Sequence, residues 1–218
     1  MKTQSNRPKP DFISHPPFLE SQLASCPIVQ FQAWLTEAQS VDSQRNLDGA
    51  CLSTVGEDGY PDARWVLVRT IDHRGFGFYS NAHSAKGRAL AKLPRASLAF
   101  YWPFQGKQVR IKGDVEFMSS AESDDYFYSR PVGSQIAAIV SNQSAVMSQR
   151  SNLLDEIKQF ESELETSGQV IKRPDHWIGY RLVPIEVEFW VEQAFRVHDR
   201  LVYTRSARDS WDIKRLYP

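Results

Sequence analysis

Along the chain the spacing of apolar side chains changes several times, and each change marks an element. From Pro27, apolar residues at Ile28, Phe31, Trp34, Leu35 and Ala38 repeat at helical spacing with the proline in the first turn, which predicts an amphipathic helix. From Gly49 the period shortens to two. Ala50–Val55 and Ala63–Ile71 read as strands joined through Glu57-Asp58-Gly59, whose Asp-Gly pair is a hairpin signal. In the second strand Arg64, Val66 and Val68 face one way, and Trp65, Leu67 and Arg69 the other. Its two arginines therefore point to opposite faces unless a bulge intervenes. Asp72–Gly75 is a second turn and Phe76–Ser80 a third strand.

Ser84 reads as the N-cap of a helix through Lys92, closed by Pro94. Ala96–Trp102 and Gln108–Met118 are strands, and Ser119 or Ser120 opens another helix. That helix runs into Tyr126–Ser144 (YFYSRPVGSQIAAIVSNQS), a helix end, a Pro-Val-Gly break and the start of a further helix, dense in hydrogen-bonding side chains. Ser148 caps a longer helix whose stripe Leu153, Leu154, Ile157, Phe160 and Leu164 reads as core packing. Four strands follow, Trp177–Val183 and Ile185–Val191 separated by Pro184, then Leu201–Arg205 and Trp211–Leu216. Eight or nine short strands and about four helices predict an α+β protein, a mainly antiparallel barrel with helices packed on it.

Composition narrows the picture. In 218 residues, 26 basic side chains balance 26 acidic ones, so no global field draws the chain to nucleic acid or an anionic membrane, and any anion site is local. Residues 1–24, with prolines at 8, 10, 16 and 17, read as an extended or flexible arm, and 25–218 as one domain. No apolar run suits a membrane span or signal peptide, which implies a cytoplasmic protein. In that compartment Cys26 and Cys51 are expected as free thiols.

A Walker A loop, HExxH, CxxC and G-x-S-x-G are all missing, which argues against nucleoside-triphosphate chemistry and metal hydrolysis. Two local features point to anions instead. Lys86 and Arg88 sit in the first turn of a helix, against its dipole, where a bound anion would offset them. Arg196, His198 and Arg200 alternate after an aromatic strand end, which puts three cationic or titratable groups on one face. They repel one another unless an anion or an electron-rich ring lies against them.

The motifs FYSN (78–81), SAKGRAL (84–90), FYWPFQGKQVRIKGDVE (100–116), YFYSRPVGSQIAA (126–138), SNQS (141–144), HWIGYRLVP (176–184), VEFW (187–190) and RVHDRLVY (196–203) resemble the pyridoxamine 5′-phosphate oxidase family, in order and with similar spacing. The resemblance runs from about Pro27 to Pro218. It implies a homodimer of split β-barrels with FMN at the interface, oxidising pyridoxine or pyridoxamine 5′-phosphate to pyridoxal 5′-phosphate with O2 as acceptor. Carried over by motif, Arg64, Lys86, Gln143 and Ser144 would hold the FMN phosphate and ribityl chain. The strand residues Trp65, Val66, Leu67, Val68 and Arg69, with Tyr79, Ser80, Gln108, Trp190 and Arg200, would complete the flavin pocket. Tyr126, Arg130 and Ser134 would grip the substrate phosphate. Arg69 would reach the substrate too, and Arg196 and His198, the catalytic pair, would hold the pyridine ring against the flavin.

Several positions depart from the family pattern. Arg69 stands where lysine is usual, which exchanges a compact ammonium for a planar fork. Ala85 replaces an arginine beside Lys86, Ala137-Ala138-Ile139 replaces Gly-Ala-Trp or Gly-Ala-Val, and the arm lacks the Arg and Tyr that cover the site in some relatives. Two alternatives therefore stand beside the main reading: a same-fold flavin oxidase acting on another aromatic substrate such as a phenazine precursor, and a non-catalytic flavin- or pyridoxal-phosphate-binding protein.

Overall fold

The period-two segments close on themselves. The computed structural model describes residues 15–41, 46–207 and 210–218. In it β1 (Gly49–Val55), β2 (Pro61–Asp72), β3 (Gly75–Asn81), β4 (Arg95–Trp102), β5 (Lys107–Phe117) and β6 (Trp177–Val191) pair in the order β3-β2-β1-β4-β5-β6, and β3 also pairs with β6. The result is a closed antiparallel barrel of six strands, the architecture expected from the sequence. Beyond it β7 (Asp199–Ala207) and β8 (Ser210–Arg215) extend the sheet from β6. Both tight turns form as predicted, with Val55 opposite Pro61 around Gly59 at φ +85°, and Asp72 opposite Gly75.

The long strand β6 corrects one expectation. Pro184 does not divide it, and the strand runs unbroken for 15 residues. Its register with β5 shifts, Lys112 facing Glu186 and Gly113 facing Pro184, so Ile185 is the extra residue of a bulge. A bulge tolerates a residue that has no N–H to give to the ladder. Gly113 is required there, because a Cβ would lie 2.0 Å from the Val183 carbonyl oxygen. The bulge is also where β6 changes partner: Trp177–Leu182 pair with β3, and Glu186–Val191 with β7.

Five α-helices surround the barrel among the described residues: α1 (Pro27–Val41), α2 (Ala85–Lys92), α3 (Ser120–Ser129), α4 (Val132–Val140) and α5 (Arg150–Ser167). The apolar face of α1 closes the core. Phe31, fully buried, meets Phe100 at 4.7 Å and Phe76 at 5.0 Å, and Trp34 meets Phe189 at 5.0 Å. Of the expected arm, residues 1–14 lie outside the described residues. The rest packs on the body: Phe18 is buried 5.0 Å from Trp34, its N–H donates to Asp199 Oδ2, and Tyr203 donates to the Ala24 carbonyl. Cys26 and Cys51 are free thiols.

Helix α5 corrects a second expectation. None of its residues is buried, and its stripe packs partly against α4 and not into the core. Ser148 does not cap it either. Gln149 holds the N-cap position without a side-chain bond, and the Ser148 hydroxyl instead accepts from Asn152 Nδ2.

Candidate functional site

The first turn of α2 holds a buried lysine among neutral side chains. Ser84 caps the helix, accepting from Gly87 N–H and donating to the Asn81 carbonyl. Lys86 is 9% exposed, and its ammonium donates to Ser80 Oγ at 3.1 Å, Ser84 Oγ at 3.3 Å and Gln143 Oε1 at 3.4 Å. All three partners are neutral, and among the described residues no carboxylate pairs with it. Burial, and then the charge of Arg64, pull its pKa below the usual lysine range. Arg64 is itself held by Asp62 and by Thr54 Oγ1 at 2.8 Å. Ser144, at a left-handed φ of 74°, accepts from the Ala85 N–H, which carries Gln143 and Ser144 to the same helix end.

Beside this corner a cavity of about 520 Å³ opens between β2, α3 and α4. Tyr79 forms its aromatic wall, stacked on Tyr126 at 4.2 Å and on Trp177 at 5.3 Å. Arg130 is a second cation without a counter-charge among the described residues. Its guanidinium lies 5.0 Å over the Trp177 ring, its buried Nη1 has no partner, and burial lowers its pKa. The local cause is Pro131: the residue before a proline leaves helical space, so α3 ends at Ser129, Arg130 turns extended as its C-cap, and α4 starts at Val132. Ser134, in the first turn of α4, also lines the cavity, as do Trp65, Val66 and Leu67. Val68 is buried in the core. Arg69 sits at the bulge that the alternation left open, since the β2–β3 register shifts between Val68 and Thr70. It lines the cavity but pairs with Asp48 at 2.8 Å.

The remaining expected residues form a separate cluster. Gln108 faces Trp190 across β5 and β6, and Trp190 faces Arg200 across β6 and β7. The His198 ring lies 4.5 Å from the Trp190 ring, and its Nδ1 accepts from Gln193 N–H, so the neutral imidazole carries its proton on Nε2. The expected alternation of Arg196, His198 and Arg200 on one strand face fails. Ala194–Arg196 is a 3₁₀ turn with Phe195 and Arg196 in left-handed conformations, φ 57° and 65°, and β7 begins only at Asp199. Arg200 is offset from within, by buried Glu188 at 2.8 Å. None of Gln108, Trp190, Arg196, His198 and Arg200 lines the cavity. The two clusters sit at the two ends of β6, about 45 Å of extended chain.

Sequence reasoning missed several participants. Asn81 and Trp177 line the cavity from motifs whose other members were singled out. Asp48 had no local signal. Arg181, 2% exposed, pairs with Glu122 at 2.8 Å, and Glu122 also accepts from Arg74 and from its own capping partner Ser119. That network pins the start of α3, one turn before Tyr126. Its only visible trace was the Ser119-x-x-Glu122 capping box.

Comparison with known proteins gives the family. Residues 40–163 match the family model described as pyridoxamine 5′-phosphate oxidase, and residues 177–218 match the pyridoxine 5′-phosphate oxidase C-terminal dimerisation region. A pyridoxine/pyridoxamine 5′-phosphate oxidase of Thermosynechococcus vestitus is 46% identical over 92% of each chain. One from Burkholderia lata is 47% identical over 91% of this chain and 92% of its own. Among solved structures, PhzG from Burkholderia lata 383, in complex with tetrahydrophenazine-1-carboxylic acid, superposes with a TM-score of 0.85 and 31% identity over 94% of this chain and 99% of its own.

Proposed function

Because the chain belongs to the pyridoxamine 5′-phosphate oxidase family, we propose that it is an FMN-dependent oxidase converting pyridoxamine or pyridoxine 5′-phosphate to pyridoxal 5′-phosphate. In the amine reaction, substrate, O2 and water give the aldehyde, ammonia and hydrogen peroxide. In the alcohol reaction, substrate and O2 give the aldehyde and hydrogen peroxide.

The observation that carries this reading is the pair of uncompensated cations in one corner, Lys86 and Arg130. A buried cation without a counter-charge is costly, and a phosphate dianion supplies the missing charge. Two such groups suit two phosphates, one on FMN and one on the substrate. Lys86, with Ser144, Gln143 and the field of Arg64, fits the FMN phosphate. Trp65, Val66, Leu67, Tyr79 and Ser80 would flank the rest of the cofactor, joined by Gln108, Trp190 and Arg200. Arg130, Tyr126 and Ser134 offer the substrate phosphate a fork and two hydroxyls. Bound FMN supplies a hydride acceptor at its isoalloxazine ring. The protein's part is then alignment, with Arg196 and the Nε2–H of His198 donating to the pyridine ring and holding the reacting carbon in place.

The two clusters are at opposite ends of β6, and Trp190, Arg196, His198 and Arg200 of the second lie in the segment 177–218 that matches a dimerisation region. We therefore assign each complete site to two copies of the chain, one giving Lys86 and Arg130, the other Gln108, Trp190, Arg196, His198 and Arg200.

The likeness to PhzG favours one other reading, oxidation of a phenazine precursor. Against it, identity to the pyridoxine/pyridoxamine phosphate oxidases is higher, and a carboxylate has fewer oxygens than the donors of Arg130, Tyr126 and Ser134 would serve. Aerobic turnover by FMN-loaded protein, followed by the absorbance of the aldehyde product, separates the readings. Turnover of pyridoxine or pyridoxamine 5′-phosphate is expected. Bound ligand with no turnover would leave a carrier, and oxidation of a phenazine precursor alone would transfer the chain to that branch.

A further inference from the structure

Arg173 lies outside the cavity, in the connection 168–176 between α5 and β6, and its fork is divided among three partners. Nε donates to Asp124 Oδ1 at 2.6 Å, Nη2 to Ser120 Oγ at 2.8 Å and Nη1 to the Trp177 carbonyl at 2.6 Å. Its backbone N–H donates to the Tyr128 hydroxyl at 3.2 Å. The side chain is only 11% exposed, so a rigid planar donor set is held in a place largely shielded from water.

Ser120, Asp124 and Tyr128 recur every four residues and form one face of α3. Tyr126 lies about 200° round the helix from Asp124, on the face that lines the cavity. Arg173 therefore grips the back of the helix whose front carries Tyr126 and whose C-cap is Arg130. The same fork grips Trp177, whose ring lies 5.0 Å beneath the Arg130 guanidinium and 5.1 Å from the Phe127 ring. Trp177 is held from its other side too, its N–H donating to the Pro174 carbonyl at 2.9 Å. The helix end that carries the Arg130 cation and the ring that supports it are thus joined through one side chain.

We infer that Arg173 is a positioning residue for the substrate phosphate: from outside the cavity it fixes the end of α3 against Trp177, and so holds Arg130 and Tyr126 at the spacing a phosphate needs. This rests on the proposed oxidase reading, which gives those two residues to that phosphate. The effect is local. Lys86 stands on α2 with Ser80, Ser84 and Gln143, none of them a partner of Arg173, so the FMN corner serves as an internal control.

The test compares Arg173→Gln and Asp124→Asn with wild type as FMN-loaded protein. Inorganic phosphate is titrated calorimetrically, KM and kcat are measured for pyridoxine 5′-phosphate, and FMN affinity is read from flavin fluorescence. Arg173→Gln is expected to weaken phosphate binding and raise KM roughly tenfold, with kcat and FMN affinity within about twofold, the pattern of binding lost equally from ground and transition states. Asp124→Asn removes the charge of one half-exposed partner and is expected to move the same two readings by about threefold. Phosphate affinity and KM unchanged in folded Arg173→Gln, or kcat and FMN affinity falling as far as phosphate affinity, would overturn the inference. If Arg173→Gln does not fold, the same two results in Asp124→Asn decide it. The phosphate titration needs no turnover. A wild type that oxidises no vitamin B6 phosphate would remove the substrate assignment, while phosphate affinity lost in Arg173→Gln alone would still uphold the role of Arg173.

Discussion

Trp177 and Trp190 lie on one strand, β6, and each anchors a different cluster of candidate residues. Trp177 stacks with Tyr79 beneath Arg130, and Trp190 packs against His198 beside Arg200. A single chain therefore carries both clusters, and the bulge at Pro184 lies between them.

Lys86 sets function against stability. Its buried ammonium has only neutral partners, so replacing it with methionine removes a desolvated charge from the free protein. Lys86→Met is expected to keep or raise the melting temperature without FMN, and to weaken FMN binding by about 1.5–3 kcal/mol, read from flavin fluorescence quenching. A matching loss of melting temperature would mean that the lysine is structural.

Strong acid should loosen α3. Three arms hold the Glu122 carboxylate, Arg181, its cap Ser119 and Arg74, and together they lower its pKa from 4.5 to about 2. For a carboxylate lowered on folding, the stabilisation is full above the unfolded pKa and lost as pH falls through the folded one. Wild-type stability should therefore drop between pH 4.5 and about 2 more steeply than that of Glu122→Gln. Urea midpoints measured across that range, with equal slopes in the two proteins, would remove Glu122 as the cause.

The turn before His198 is strained by two non-glycine residues in left-handed conformations, Phe195 and Arg196. Arg196→Gly should relieve part of that strain and stabilise the fold by up to about 1 kcal/mol, while abolishing turnover and leaving FMN affinity within about twofold. Thermal melts, flavin titration and turnover assays give the three readings.

The barrel was legible because β1, β4 and β5 alternate on their own, and Ser84, Gly59 and the Asp72–Gly75 turn carry local backbone rules. What stayed hidden depends on partners distant in sequence. Pro184 reads as a break until Gly113 is set opposite it. The α5 stripe reads as core until α4 proves its only substantial support among the described residues. The Arg196 turn looked like a strand because alternation of charge does not reveal a left-handed backbone. Most site residues were named through motif resemblance, but their division into two clusters, and the partners Asp48 and Arg181, needed the fold.

Subunit complementation tests the composite site most directly. Arg130→Ala and Arg196→Ala, each expected to be inactive alone, are unfolded, mixed in equal amounts and refolded with FMN, then assayed for aerobic oxidation of pyridoxine 5′-phosphate. If each site takes Arg130 from one copy and Arg196 from the other, half of the mixed population is hybrid with one intact site in two, and activity should recover to about a quarter of wild type. If both residues serve a site within one chain, every hybrid site is damaged. Activity that stays at the level of the separate variants would contradict the composite site.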